Sequence, residues 1–231
     1  MSSLAERAYK LIKVDIISCA LKPGQQIVQS QLAEKHQIGT TPIRDALQRL
    51  AQEKLVHPIP RFGYIVTPIT LSDVQEMYEL RSILESAVAR LAAVRASQEQ
   101  LQKLATLAKS TYVYKDPVSS FEFLATNAEF HVAVAVAAGN QRLVDLLSKL
   151  LDEMTRLFQL GLDVRDSAED MRQEHITLAQ VLCDRDSDRA AQIAQELVAV
   201  SHQRTLEALT PYLEGSPLRV AGRASDFGLF S

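Results

Sequence analysis

The chain has 231 residues, of which 47 % are hydrophobic. That is enough to bury a core in one large domain or in two ordinary ones, so we expect a folded chain rather than a disordered one. Glycine and proline are scarce at eight each and tryptophan is absent, while residues that favour helices abound. No apolar run reaches the roughly 18 residues that a membrane span needs, and the first residues lack the pattern of a secretory signal. We therefore expect a mainly helical, cytoplasmic protein with no membrane partner.

The net charge of −3 is unevenly distributed along the chain. Residues 1–70 carry nine Lys or Arg against five Asp or Glu, a balance of +4, which leaves −7 for the remainder. A basic N-terminal third beside an acidic remainder favours a polyanion that meets only the first domain. Random scatter of surface charge is the alternative explanation.

The N-terminal third opens with two predicted helices. Ser3 begins a capping box, and apolar residues then recur at helical spacing, which predicts a first helix over about residues 4–20. After a short extended piece, Ser30 is expected to cap a second helix of barely two turns, Gln31–His36. Gly39 then marks a turn.

A third helix is expected to start at Thr40-Thr41-Pro42, because threonine can cap free amides and proline is tolerated in the first turn. Two helices joined by a short turn form the layout of a helix-turn-helix. Opposite the apolar stripe of the third helix lie Thr41 and Gln48, with Arg44 on the flank. Arg44 can reach a guanine edge with two parallel hydrogen bonds, so we predict that it reads a base. A solvated surface arginine is the alternative.

Two short β-prone runs, residues 56–59 and 64–66, follow and predict a hairpin around Pro60-Arg61-Phe62-Gly63. A hairpin after a recognition helix is a wing. Arg61 at its tip is expected to enter a minor groove or contact phosphate, and Gly63 to allow the tight backbone there. The residues predicted to contact DNA are Ser30, Thr40, Thr41, Arg44, Gln48, Arg61 and Gly63.

This pattern resembles the GntR-type winged helix. The resemblance rests on residues 31–34, 41–56 and 61–66 and covers about 60 residues. It implies a homodimer bound to double-stranded operator DNA. Two departures stand out: Thr40 replaces the arginine that usually precedes Thr-Pro, and Lys54 replaces a glycine at the end of the third helix.

From residue 70 onward the sequence predicts helices only. Their boundaries are marked by capping residues, by Asp-Pro and by Gly-Asn pairs. We place six helices near residues 72–96, 98–114, 118–138, 141–163, 167–183 and 187–209. The predicted domains are therefore a winged helix-turn-helix over 1–69, an all-helical domain over 70–210 and a flexible tail over 211–231.

The helical region resembles the FCD domain of the FadR-type branch of the same family. The markers are residues 79–85 (Glu-Leu-Arg-Ser-Ile-Leu-Glu), 127–131 (Asn-Ala-Glu-Phe-His), 138–140 and 174–175 (Glu-His). The resemblance implies an antiparallel six-helix bundle that dimerises the protein. It also implies that the bundle binds a small, carboxylate-bearing metabolite, frequently through a divalent metal such as zinc, nickel or manganese.

Three residues could supply the metal ligands. Asn127 and His131 are four apart and project from one helix face, and His175 lies mid-helix among apolar neighbours. The fourth ligand implied by the resemblance, a histidine of the last helix, is replaced by Leu197, and His202 lies about 140° around that helix. The alternative, which we favour, is that both histidines are hydrogen-bonding residues of an effector pocket.

Arg81 is the fourth residue of the predicted effector site, beside Asn127, His131 and His175. A buried arginine needs an anionic partner, which here is either Glu85 one turn away or a ligand carboxylate.

These patterns together favour a transcription regulator that acts as a repressor and is released from DNA by an organic acid. The alternatives are a metal-dependent hydrolase built on the histidines and a winged-helix module that binds protein.

Overall fold

The computed structural model describes residues 3–214, apart from the side chains of residue 117 and residues 211–214. The protein is mainly α-helical with one small antiparallel sheet, which confirms the predicted fold class. Within the described residues the chain forms two compact units that divide between Thr70 and Leu71. No helix among them is long and apolar enough to cross a membrane.

The first unit is a three-helix winged helix with a three-stranded sheet. Its elements are α1 (Leu4–Ile17), β1 (Gln26–Ile27), α2 (Gln29–His36), α3 (Thr40–Gln52), β2 (Val56–Ile59) and β3 (Gly63–Val66). The sheet has the order β1-β3-β2, and both strand pairs are antiparallel. Its core joins the apolar stripes of α1 and α3, where Ile12, Ile16, Ile43, Leu47 and Leu50 are fully buried. Removing these side chains from water is the main stabilising contribution to this unit.

The helix starts and stops in this unit differ from the predictions in three places. The first helix ends at Ile17, not near residue 20, because Cys19 turns into the left-handed region at φ 57°. Ser30 does not cap α2: the chain passes straight from β1 into the helix, with extended Val28 as N-cap and Ser30 in the first turn. At α3 the N-cap is Gly39, and no side chain caps the amides.

Lys54, one of the two departures from the family pattern, occupies a backbone position that suits glycine. It adopts φ 59° directly after α3, a conformation that glycine reaches without steric strain. Its amide still donates to the Ala51 carbonyl at 3.0 Å, so the helix end forms with lysine in place of glycine.

The second unit contains the six predicted helices. They are α4 (Leu71–Arg95), α5 (Gln98–Leu107), α6 (Pro117–Ala137), α7 (Gln141–Val164), α8 (Ala168–Cys183) and α9 (Ser187–Glu214). Helix α4 packs against α6, α7, α8 and α9 and so occupies the centre of the unit. Side chains on its buried face therefore meet side chains from several helices at once.

Two boundaries of the second unit differ from the sequence prediction. Helix α5 ends at Leu107, not near residue 114, because the Thr-Tyr-Val-Tyr run that follows is rich in residues of low helix propensity. Tyr112 from that run packs on Phe123 of α6, with ring centroids 5.0 Å apart. Helix α9 continues to Glu214, past the predicted domain end at 210. The rest of the predicted tail, residues 215–231, lies outside the described residues.

Candidate DNA-contacting surface and effector site

The exposed face of α3 carries the polar residues that the sequence predicts to contact DNA. Thr40, Thr41, Arg44 and Gln48 are all exposed, and the apolar stripe on the other side of the helix is buried. Ser30 on α2 is exposed as well. The structure therefore places these five side chains on the outside of the helix-turn-helix, within reach of an external ligand.

A network of side chains fixes α3 on α1. Arg49 forms an ion pair with Glu6 at 2.7 Å, and its guanidinium lies 3.7 Å from the centre of the Tyr9 ring. Glu53 accepts hydrogen bonds from Tyr9 at 2.8 Å and from Lys13 at 2.8 Å. Burial raises the pKa of Glu53, but these two hydrogen bonds and the charges of Lys13 and Arg49 together lower it overall. Arg49 therefore stabilises the packing of α3 on α1, whereas Arg44 lies exposed on the other side of the helix.

The wing brings Arg61 to the tip of the hairpin. Strands β2 and β3 pair with Ile59 opposite Gly63, and Arg61 lies between them, exposed, at φ 69°. Gly63 has φ 89°, and a Cβ there would stand 3.2 Å from the carbonyl oxygen of Ile27. Gly63 therefore shapes the backbone of the wing, because any other residue would be strained and crowded.

In the second unit, a buried polar cluster forms around Arg81. Its Nε donates to Glu85 Oε1 at 2.6 Å, one terminal nitrogen lies 3.1 Å from His131 Nε2, and the other donates to Ser201 Oγ at 3.3 Å. His131 Nδ1 lies 3.1 Å from Glu85 Oε2, and His175 Nε2 lies 3.3 Å from His131 Nε2. We refer to Arg81, Glu85, His131 and His175 as the Arg81 cluster. It brings together three of the four predicted effector residues.

The protonation states of the Arg81 cluster follow from these contacts. Burial raises the pKa of Glu85, but the charges and hydrogen bonds of Arg81 and His131 lower it overall to about 2. Burial lowers the pKa of His175 well below its usual value, and the nearby His131 and Arg81 lower it further. The cluster is therefore one ion pair flanked by His175, which burial keeps neutral.

A small cavity adjoins the cluster. Besides all four cluster residues, it is lined by Glu174, Leu178, Ala194, Leu197 and Val198. The space open to the centre of a water molecule is about 10 Å³, close to the minimum for one ordered water. Asn127 is buried on α6 but is not among the described residues that line this cavity. His202 stacks on Tyr78 instead, with ring centroids 4.5 Å apart.

The donor set does not fit a divalent metal. Both ring nitrogens of His131 already have partners, and the partner of Nε2 is itself a cation, 3.1 Å away. Leu197 lines the cavity and offers no donor atom where the resemblance requires a histidine. Within residues 3–214, no group of three or more His, Cys, Asp or Glu side chains is arranged to hold a metal ion. The three or four protein donors that a zinc site uses are thus not assembled among these residues.

Sequence reasoning missed a second set of polar residues beside the cluster. Tyr78 contacts Thr205 through their hydroxyls at 2.6 Å, and Ser201 accepts from Arg81. Arg204 forms a two-pronged ion pair with Glu174, with contacts of 2.6 and 3.0 Å. The spacing of Ser201, Arg204 and Thr205 on α9 could have indicated one shared helix face. It could not have shown what that face meets.

Comparisons with known proteins give the class of the protein. The FCD domain profile matches residues 76–200, and the profile of bacterial regulatory proteins of the gntR family matches residues 4–66. The chain belongs to the gntR family of bacterial transcription regulators, in the group that carries an FCD domain. It is a DNA-binding regulator and not an enzyme, so the hydrolase alternative has no support.

Individual relatives agree with this assignment. The chain is 26 % identical over 197 residues to the HTH-type transcriptional repressor GlaR of Escherichia coli, covering 81 % of this chain and 89 % of GlaR. It is 24 % identical to the Nta operon transcriptional regulator of Aminobacter aminovorans, covering 91 % and 96 % of the two chains. Among solved structures, McbR/YncC of Escherichia coli matches with a TM-score of 0.69 and 20 % identity over 92 % of this chain and all of that one. This structural match establishes the shared fold only.

Proposed function

We propose that this regulator is a cytoplasmic, homodimeric repressor that leaves its operator when an organic acid binds at the Arg81 cluster. The observation that carries the proposal is a buried guanidinium in the FCD region, facing a cavity that it shares with two histidines. A guanidinium removed from water is among the strongest protein partners for a carboxylate. The named repressor GlaR among its relatives supports repression.

We assign direct base reading to Arg44, with Thr40, Thr41 and Gln48 beside it on the exposed face of α3. Ser30, at the start of α2, contacts the phosphate backbone, where hydroxyls and helix N-terminal amides commonly bind. Arg61 contacts a minor groove or phosphate from the wing, and Gly63 holds the wing backbone in shape. Steep salt dependence of DNA affinity distinguishes this function from protein binding by the winged helix, which requires no counterion release.

The effector binds without a metal in this proposal, because Arg81 supplies the positive charge. Three of the five N–H groups of Arg81 have partners among the described residues: Glu85, His131 and Ser201. The edge between its two terminal nitrogens can therefore bind a carboxylate through two parallel hydrogen bonds. Since the cavity of about 10 Å³ is too small for an organic acid, binding has to move side chains or helices. That movement is the means by which the effector favours one state over another.

A second copy of the chain docks, in this proposal, along a partly exposed apolar stripe on α4. The stripe consists of Leu80, Ile83, Ala87, Leu91 and Val94, which recur at intervals of three and four residues and so share one helix face. Leu80, Ile83 and Val94 are 46 %, 67 % and 68 % exposed. Two copies of the stripe would bury each other, and two winged helices would then read a palindrome with half-sites about one DNA turn apart.

The experiment that tests the function has two stages. An operator is first selected from a pool of random DNA duplexes, and organic acids are then screened for their ability to raise the melting temperature of the protein. An acid that stabilises the protein in the presence of a chelator and weakens operator binding supports the proposal. An acid that acts only when zinc, nickel or manganese is added would contradict the metal-free site.

A further inference from the structure

A second ion pair, which is partly buried, lies beside the Arg81 cluster. Arg204 of α9 and Glu174 of α8 are joined by two hydrogen bonds, and their side chains are only 12 % and 16 % exposed. Buried ion pairs are often no more stabilising than apolar residues of the same size, because both charges lose their hydration. A buried and a partly buried ion pair at one place therefore call for a functional explanation beyond stability.

The Arg204–Glu174 pair connects two neighbouring cavities. Glu174 lines the cavity of the Arg81 cluster, while Arg204 lines a second cavity of about 20 Å³ together with Ser201 and Thr205. Ser201 accepts a hydrogen bond from Arg81 and lies one helical turn before Arg204. Arg81 contacts Ser201 and Arg204 follows on the next turn of α9, so the ion pair joins one residue that lines each cavity.

The two glutamates differ in how readily they can leave their arginines. Glu85 is held from both sides, by Arg81 and His131, and its side chain is 6 % exposed. Glu174 has Arg204 as its ion-pair partner and is more exposed, so it can turn outward and be hydrated. A ligand carboxylate that replaces Glu174 on Arg204 would keep that guanidinium paired and would join the two cavities into one.

We propose that the effector is a dicarboxylate that bridges Arg81 and Arg204. One carboxylate binds the edge between the terminal nitrogens of Arg81, and the other displaces Glu174 from Arg204. This inference rests on the proposed function, because it takes Arg81 as the first anion subsite. It adds Arg204 as the residue that determines specificity and Glu174 as a resident carboxylate that closes the site.

Calorimetric titration with matched acids of equal length tests the inference. The probes are succinate, glutarate and adipate, each compared with butyrate, pentanoate or hexanoate of the same chain length, in the presence of a chelator. Wild-type protein is expected to bind at least one dicarboxylate about tenfold to a hundredfold more tightly than its matched monocarboxylate, as expected for one additional charged hydrogen-bonding group.

Neutral replacement of each pair identifies the subsites without leaving a lone buried charge. The R204M/E174Q variant is expected to bind mono- and dicarboxylates equally, while R81M/E85Q is expected to bind neither. A control variant, R90M/D188N, removes an exposed ion pair of the same unit and should bind like wild type. Thermal unfolding of each variant shows whether it is folded.

Each outcome decides a different claim. If wild type binds matched mono- and dicarboxylates equally and R81M/E85Q abolishes both, the dicarboxylate inference fails while the proposed function stands. If R204M/E174Q keeps the preference for dicarboxylates, Arg204 is not the second subsite and the inference fails. If no acid binds wild type, both the inference and the organic-acid effector are overturned.

Discussion

Removal of Arg81 alone should destabilise the protein far more than removal of the whole Arg81–Glu85 pair. In Arg81→Met the carboxylate of Glu85 remains buried, with His131 as its one remaining partner in the cluster. Breaking one side of a buried ion pair costs about 3–5 kcal/mol, whereas replacing both charges by neutral groups of similar volume is often neutral. The double variant R81M/E85Q keeps an acceptor for His131 and should therefore unfold close to wild type.

Urea unfolding at pH 7 and fixed protein concentration measures this difference. The single variant should lose about 3–5 kcal/mol of unfolding free energy, which for a domain of this size lowers the melting temperature by roughly 6–20 °C. The double variant should recover most of that loss. A single variant that loses less than about 1 kcal/mol, or a double variant no more stable than the single one, would show that this ion pair is not the buried, mutually dependent unit described above.

The same pair predicts a pH dependence with a definite sign. The pKa of Glu85 is lowered from 4.5 to about 2 in the folded protein, so its contribution is present above pH 4.5 and is lost as the pH falls towards 2. A shift of that size corresponds to about 3 kcal/mol. Wild type should therefore lose more stability than R81M/E85Q between pH 5 and pH 3. Equal losses in the two proteins would contradict the assignment of a low pKa to Glu85.

The remaining predictions concern DNA binding and assembly. Arg44→Ala should weaken operator binding by about 1–3 kcal/mol and relax the base preference, whereas Arg49→Ala should chiefly lower the unfolding free energy; anisotropy and urea titrations separate the two. Arg61→Gly keeps the left-handed backbone of the wing and should reduce the slope of log affinity against log salt by about one; an unchanged slope means that Arg61 does not contact phosphate. Ile83→Glu should yield monomers in sedimentation, while Val113→Glu, equally exposed but outside the stripe, should not.

The sequence predicted the elements that depend on local periodicity and turn chemistry. The apolar stripe of α3 is buried and its polar face exposed, as the 3.6-residue period requires. Ser30 shows the limit of such reasoning. It stands at a plausible cap position, but α2 begins earlier, at Gln29, and extended Val28 occupies the N-cap. Helix α5 ends before a run of low helix propensity, and Tyr112 in that run packs against Phe123 of another helix, a contact that no local pattern contains.

The effector site shows a different limit. His131 and His175 could be paired from the sequence because the resemblance supplied their roles, and Leu197 already indicated an incomplete metal set. His131 contacts Arg81 and Glu85, and His175 contacts His131, which depends on how α4, α6 and α8 pack. Arg204 lies in no motif, and only the packing of α9 against α8 reveals its pairing with Glu174. Helix periodicity predicts which face is buried but not which buried groups meet.

Operator affinity measured with and without an acid tests whether the Arg81 cluster senses the effector that controls DNA binding. Fluorescence anisotropy of the selected operator is recorded in the presence of a chelator, with a dicarboxylate that stabilises the wild-type protein. We expect the acid to weaken operator binding by wild type and to leave binding by R81M/E85Q unchanged. If the acid weakens both proteins equally, or neither, the Arg81 cluster is not the site through which this regulator senses its effector.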